Sequence, residues 1–235
     1  MIGREVAGSA ARDDACRSRF VESRRTVRYA ESPARTSTAG REPMTVDDLW
    51  FLADEARQRA EQAYHRLRRN HADADYLEPV HTRRVSRPRF RTLASRVKST
   101  GTPYGVHTVV RRRGDEILLV RHEGVDLWVL PGGGVDEDDE GFTEAARREL
   151  AEEAGLTADY GGLAMATRID IRCDSHQTWG VMPVYRARVD GAAELSVNDP
   201  DEEISAARWF RVSELPADTR DRDDLLSWYD HVAGD

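Results

Sequence analysis

Gly134-Val135-Asp136-Glu137-Asp138-Asp139-Glu140 is followed, after seven residues, by Arg148-Glu149-Leu150-Ala151-Glu152-Glu153-Ala154-Gly155-Leu156. The pattern predicts a helix from Phe142 to Ala154, with Gly155 as its left-handed stop. On that helix Glu149, Glu152 and Glu153 stand at i, i+3 and i+4, so three carboxylates project from one face within reach of a common point. At an effective dielectric near 20, each pair a few ångströms apart repels by about 2–4 kcal/mol, more than a chain retains without compensation. A hard divalent cation supplies that compensation. Oxygen-only ligation by carboxylates and a nearby backbone carbonyl suits Mg²⁺ or Mn²⁺, which keep several waters and favour substrates that bring phosphate oxygens. Phe142, Ala145, Ala146 and Leu150 lie broadly opposite and give the helix a buried face that holds the acidic face still. Ahead of it, Gly132-Gly133-Gly134 lets the backbone turn tightly and approach a metal or phosphate where a Cβ would obstruct.

Around this segment the chain reads as strands. Val106–Arg111 and Glu116–Arg121 flank the turn signal Arg113-Gly114-Asp115 and predict a hairpin. Leu127–Leu130 is a short apolar strand running into Pro131 and the glycines. Leu163–Cys173 and Thr178–Val189 are further strands, with Pro183 placing the second at a sheet edge or on a bulge. Ile204–Val212 supplies a last strand and Asp221–Val232 a closing helix. Strands and helices without strict alternation imply an α+β class, an α/β/α sandwich with a mixed sheet rather than a doubly wound nucleotide fold.

The acidic segment matches the Nudix box in full, Gly-x5-Glu-x7-Arg-Glu-U-x-Glu-Glu-x-Gly-U with U aliphatic, and residues 103–233 resemble a Nudix hydrolase domain. That resemblance implies a pyrophosphohydrolase acting on a nucleoside diphosphate linked to another moiety, such as ADP-ribose or a similar nucleotide sugar. It places metal ligands on Glu149, Glu152, Glu153 and the Gly133 carbonyl, with Mg²⁺ or Mn²⁺ as cofactor. It gives Arg148 the task of orienting the carboxylates, together with Glu140. Glu203, six residues before Trp209, is the candidate for the downstream glutamate of the family, with Glu202 as the alternative. Glu152, Glu153 and Glu203 are the candidates for taking the proton from water. Asp139 departs from the family pattern, which more often has Gly there. Trp128, His176 and Trp179 are candidates to stack on or bond a base, with core packing as the plainer reading. The rival function is a nucleotide-sensing module without catalysis, whose N-terminal region contacts DNA or a partner.

The rest of the chain reads as an appendage. Residues 1–44 lack apolar periodicity and read as disordered. Thr45 opens a helix over 45–70, in which Val46, Leu49, Ala53, Ala56, Ala60, Ala63 and Leu67 form a narrow seam. That seam suits packing on the main domain or on a second copy, which makes a homodimer one expectation. Residues 71–102 are expected to be a basic linker, because Arg83 to Lys98 holds seven cations and no acids. With 43 Asp+Glu against 35 Lys+Arg in 235 residues and a net charge of −8, the chain is a poor non-specific nucleic-acid binder, so a small-molecule substrate is expected instead. Neither an apolar run long enough to span a bilayer nor a signal-type N-terminus is present, and the expected location is cytoplasmic. Two cysteines, Cys16 and Cys173, show no metal-ligand spacing and read as reduced thiols.

Overall fold

In a computed structural model, residues 46–113, 115–136, 139, 141–191 and 194–233 are described. The expectation of disorder over 1–44 and the role given to Glu140 fall outside those residues. Eight strands among them form one mixed sheet. The main path runs β1 (Val80–Arg84), β6 (Asp159–Cys173), β7 (His176–Arg188), β2 (Val106–Arg112), β3 (Glu116–His122) and β4 (Leu127–Val129); β5 (Gly132–Gly133) pairs with β2, and β8 (Ile204–Arg211) with β3. β2 and β3 form the expected hairpin, with Arg112 opposite Glu116.

Helices cover both faces. On one side α3 (Phe142–Ala154) packs Ala145 and Ala146 against Val106, Leu163 and Tyr185, in a core that also takes in α1 (Val46–Asn70) and α2 (Arg87–Thr100). On the other side α4 (Arg222–Ala233) seats Leu225 and Trp228 against Val109, Met165 and Val184. This is the mixed-sheet sandwich of α+β class expected from the sequence. Among the described residues no helix is long and apolar enough to cross a membrane.

Two expectations need correction. The segment 71–102 is not a solvated linker: it holds β1, paired parallel to β6, and the 14-residue helix α2. Phe90, Leu93, Ala94 and Val97 recur at i, i+3, i+4 and i+7 and are completely buried, while Arg89 and Arg96 face outward and Arg91 is half-buried. The high density of cations hid a narrow apolar stripe. Of the two readings of Pro183, the edge fails, since β7 lies between β6 and β2, while the β6–β7 register does shift beside it, between Leu163 and Met165 opposite Tyr185 and Val184. Pro183 pairs with Ala166 of β6 and stands one residue ahead of the β2 ladder, which starts at His107–Val184, so the missing N–H falls outside that ladder.

The N-terminal helix is an integral part of this core. Leu49, Ala53, Ala56, Ala60, Ala63 and Leu67, the expected seam, are all buried within the same chain. Thr178 Oγ1 of β7 donates to the Ala53 carbonyl at 2.9 Å. Gly101 closes α2 at φ +92°, and a Cβ there would stand 2.3 Å from the Ala63 methyl, so only glycine lets α1 come so close. Phe90→Ala is expected to destabilise the whole protein by about 3–5 kcal/mol in urea unfolding, the usual cost of emptying a buried aromatic site. A loss below about 1 kcal/mol would mean that α2 is peripheral to the fold.

Candidate active site

The loop that carries the glycines is laid against the start of β2. Val106 pairs with Gly133 and His107 with Gly132. Gly105, at φ +80°, lies so near that a Cβ on it would overlap the Gly133 carbonyl oxygen, and a Cβ on Gly133 would stand 2.6 Å from Glu149 Oε2. These bare backbones bring Gly133 and the Glu149 carboxylate side by side, as the sequence expectation requires.

The three glutamates sit in different surroundings along the last turns of α3. Glu153 is 7 % exposed, and its Oε2 accepts the Gly132 N–H at 2.7 Å. Burial pushes its carboxyl up to about 8; the Gly132 hydrogen bond opposes this, and the charges of Glu149, Asp199 and Glu152 add to it. Glu149 is raised to about 7, again chiefly by burial, against the favourable Arg148 charge and hydrogen bond. Glu152 keeps a third of its side chain in water. Arg148 stands between two of them: its Nη1 donates to Glu149 Oε1 at 2.9 Å and to Glu152 Oε2 at 3.3 Å, and its Nη2 donates to the Gly134 carbonyl at 2.9 Å.

The carboxylate that anchors Arg148 is Asp139. Arg148 Nη2 reaches Asp139 Oδ2 at 3.0 Å and Nε reaches Oδ1 at 3.3 Å, a bidentate fork. Asp139 Oδ2 also accepts the Asp136 N–H at 2.7 Å. Burial alone would raise Asp139, but the Arg148 and Asp136 hydrogen bonds outweigh it and hold the carboxyl below its ordinary value. The residue that read as a departure from the family pattern thus has a task in the loop. Spacing alone did not single it out.

Glu203 is not brought to the box. Its carboxylate lies 3.4 Å from His122 Nε2 and is largely exposed, and no contact among the described residues joins it to Glu149, Glu152 or Glu153. The downstream acid whose charge Glu153 feels is Asp199, which accepts the backbone N–H groups of Asp201, Glu203 and Ile204 and so shapes the turn before β8. Glu202 adopts a positive φ of 56° in that turn. The aromatic candidates turn out to pack. Trp179 meets Tyr64 of α1 edge-on with Arg168 over its face, His176 lies beside Phe90 of α2, and Trp128 meets Phe210 between Arg121 and Arg208.

On the opposite side of the glycine loop a cavity opens between the sheet and α4. Its lining includes His107, Leu130, Met165, Met182, Asp221 and Asp224. His107 is fully buried, with its Nδ1 unpartnered; burial, with the charge of Arg220, lowers it to about 4. None of these residues stood out in the sequence, because they come from β2, β6, β7, α4 and the turns before β5 and α4, and only the fold assembles them.

A profile of the NUDIX domain matches residues 101–231. The chain belongs to the NUDIX domain family. It is 31 % identical over 113 residues to a putative 8-oxo-dGTP diphosphatase of Bacillus subtilis, covering 48 % of this chain and 68 % of that protein. It is 30 % identical over 125 residues to the 8-oxo-dGDP phosphatase NUDT18 of Mus musculus, covering 52 % of this chain but only 36 % of that one. Among solved structures, a MutT NUDIX hydrolase from Burkholderia pseudomallei is 27 % identical, covering 53 % of this chain and 94 % of that one, at a TM-score of 0.39.

The donor set fits the divalent ion expected for a NUDIX protein. It offers carboxylate oxygens and one bare carbonyl, without sulfur or imidazole, and two of its acids are held high chiefly by burial, with the charges of their neighbouring carboxylates adding to it. A pH dependence follows. Glu149 and Glu153, at about 7 and about 8, lie above the ordinary glutamate value of 4.5, so between these limits the folded state holds protons that the unfolded chain has released. Stability without metal therefore falls as the pH rises through that window, and an added cation, which favours the charged carboxylates, restores it. In thermal melts, metal-free protein is expected to have a lower Tm at about pH 8.5 than at about pH 5.5, with Mg²⁺ recovering the difference and Glu153→Gln flattening it. A metal-free Tm that does not change over this range would contradict the account.

Proposed function

We propose that this chain is a Mg²⁺- or Mn²⁺-dependent hydrolase that cleaves the pyrophosphate bond of a nucleoside diphosphate joined to another moiety, releasing a nucleoside monophosphate and the phosphorylated remainder. The observation that carries this reading is the apposition of Gly133 to Glu149, with the buried Glu153 tied through Gly132 to the loop that borders the cavity. Glu149, Glu152, Glu153 and the Gly133 carbonyl would hold the ion. When bound, it neutralises the diphosphate and lowers the pKa of an attached water.

The chain's own residues divide the remaining work. Glu153, fixed by the Gly132 N–H, is a buried and immobile ligand. Glu152 is the accessible glutamate of the three and is best placed to take a proton from water. Arg148 holds Glu149 and Glu152 at their present spacing through one nitrogen while its other end is clamped by Asp139, a task for a rigid fork that lysine performs poorly. Glu140 belongs with this support by resemblance to the family. The names of the similar proteins support oxidised purine nucleotides as substrates to test beside ADP-ribose and other nucleotide sugars. A cytoplasmic location agrees with such substrates.

For the sensor reading, part of the charge of the basic segment is already spent within the fold. Arg83, Arg87 and Lys98 are engaged with Asp221, Asp174 and Glu55. In a colorimetric assay with a panel of ADP-ribose, nucleotide sugars, dinucleotides and 8-oxo-dGTP, Mg²⁺-dependent cleavage of at least one member is expected. Glu153→Gln should lower kcat by about 10²-fold or more with the fold intact, as removing a key electrostatic group does. Near-normal turnover in that variant would remove the assignment.

A further inference from the structure

A second cleft, of about 350 Å³, opens at the end of the sheet away from the glycine loop. Arg111, Arg112 and Arg113 line it from the end of β2 and the turn that follows, and Arg188 from the end of β7, together with Asp115 and Asp190. Arg111 stands four residues along β2 from His107, the ladder partner of Gly132. At the usual strand rise the cleft is therefore about 13 Å from the glycine loop, too far for one small anion to touch both.

Nothing about cohesion asks for this cluster. The parallel β2–β7 register sets Arg111 directly opposite Arg188, and like charges facing across a ladder destabilise it. Arg112 is satisfied within the fold, since its Nε donates to Glu116 Oε2 at 2.6 Å and its guanidinium lies over the Trp209 ring. The other three keep donors to spare. Arg111 lies over the Tyr229 and Trp228 rings, 5.4 and 5.9 Å from their centroids, and its Nη2 is 3.7 Å from Asp115 Oδ1, beyond hydrogen-bond reach. Among the described residues, Arg113 and Arg188 make no ion pair or side-chain hydrogen bond, although Asp115 and Asp190 border the same cleft and Asp159 stands opposite Arg188 on β6. In a chain with 43 acids to 35 Lys and Arg, cations left without a carboxylate are not the outcome that composition favours.

A planar guanidinium fork matches carboxylate and phosphate oxygens, and the rings under Arg111 hold that fork in place before any ligand arrives. A carboxylate has oxygens for one fork only. Linked phosphoryl groups carry oxygens for several and are long enough to engage both sides of the cleft. We propose that this cleft is a second anion site, separate from the glutamate box, which binds linked phosphoryl groups through Arg111, Arg113 and Arg188, either as free pyrophosphate or as the 5′-diphosphate of a nucleotide.

Calorimetric titration of the metal-free full chain with pyrophosphate, ADP and orthophosphate, at about 0.15 M salt to screen scattered surface charge, isolates this site, because the bare box carboxylates repel phosphate. One saturable event is expected, with pyrophosphate bound about tenfold or more tighter than orthophosphate. Equal affinity for ADP and pyrophosphate would name the phosphoryl chain as the ligand, and tighter binding of ADP would name a nucleotide; either sustains the proposal. Arg113→Ala and Arg188→Ala, both at exposed positions and checked for an unchanged Tm, should each weaken pyrophosphate by about tenfold, the loss of a charge-assisted fork. Arg188→Lys should recover only part of the affinity, since it restores charge without the fork. Asp190→Asn, which removes a repelling acid, should strengthen binding, whereas Arg89→Ala on the exposed face of α2 should change nothing. With Mg²⁺ present, Arg188→Ala should lose this event alone and keep any binding at the box. No saturable event in wild type, pyrophosphate bound no more tightly than orthophosphate, or folded Arg113→Ala and Arg188→Ala proteins that bind like wild type would each overturn the proposal.

Discussion

Glu153 is buried beside two other carboxylates, and among the described residues the Gly132 N–H is the hydrogen bond that secures it. Much of the surrounding architecture serves that arrangement. α3 is pressed onto the sheet by Ala145, Ala146 and Leu150, small or apolar residues that bring the helix close enough for its acidic face to meet the glycine loop. The loop is pinned to β2 by backbone pairing and approaches Gly105 without an intervening side chain. Arg148, clamped by Asp139, shares one nitrogen between Glu149 and Glu152, so the acidic face has partial compensation built in. Rigid backbone on one side and unrelieved charge on the other is what a preformed oxygen site for a divalent ion requires.

The second half of the site is built differently. Gly132 joins two environments: its N–H serves Glu153, and its partner in the β2 ladder, His107, lines the cavity against α4. One dipeptide of loop thus separates the oxygen cluster from a mostly apolar chamber with two aspartates at its rim. Charged groups from the extension reach that rim from β1, at the far edge of the sheet path from β4.

The box was legible because its chemistry is local. A helix fixes which of Glu149, Glu152 and Glu153 share a face, Gly155 fixes where the helix stops, and both held in the structure. α1 was legible for the same reason, since one heptad-like seam survives whatever it packs against. What failed was reading by charge. The arginines of residues 83–98 masked the stripe Phe90, Leu93, Ala94 and Val97, which carries fewer letters but more buried area. For Trp179 and His176 the plainer of the two readings holds, since both complete the packing under α1 and α2. Asp221 and Asp224 were invisible among so many acids, and Asp139 stood out only as a departure from the family pattern. Their partners Arg148, His81 and Arg83 lie 9 to 143 positions away in the chain, and no periodicity connects such distances.

One consequence of Gly101 and Phe90 concerns cooperativity. The family match begins at residue 101, yet the apolar sheet face made by Ile169, Ile171 and Val181 is roofed by residues that come before it. Peeling away α1 and α2 would bare that face to water, so these helices cannot melt in advance while the remainder stays intact. Sequence kinship and thermodynamic unity draw their borders in different places here. The smallest independently stable unit reaches back to the first turns of α1, and any disturbance there is felt as a change in the free energy of the whole protein.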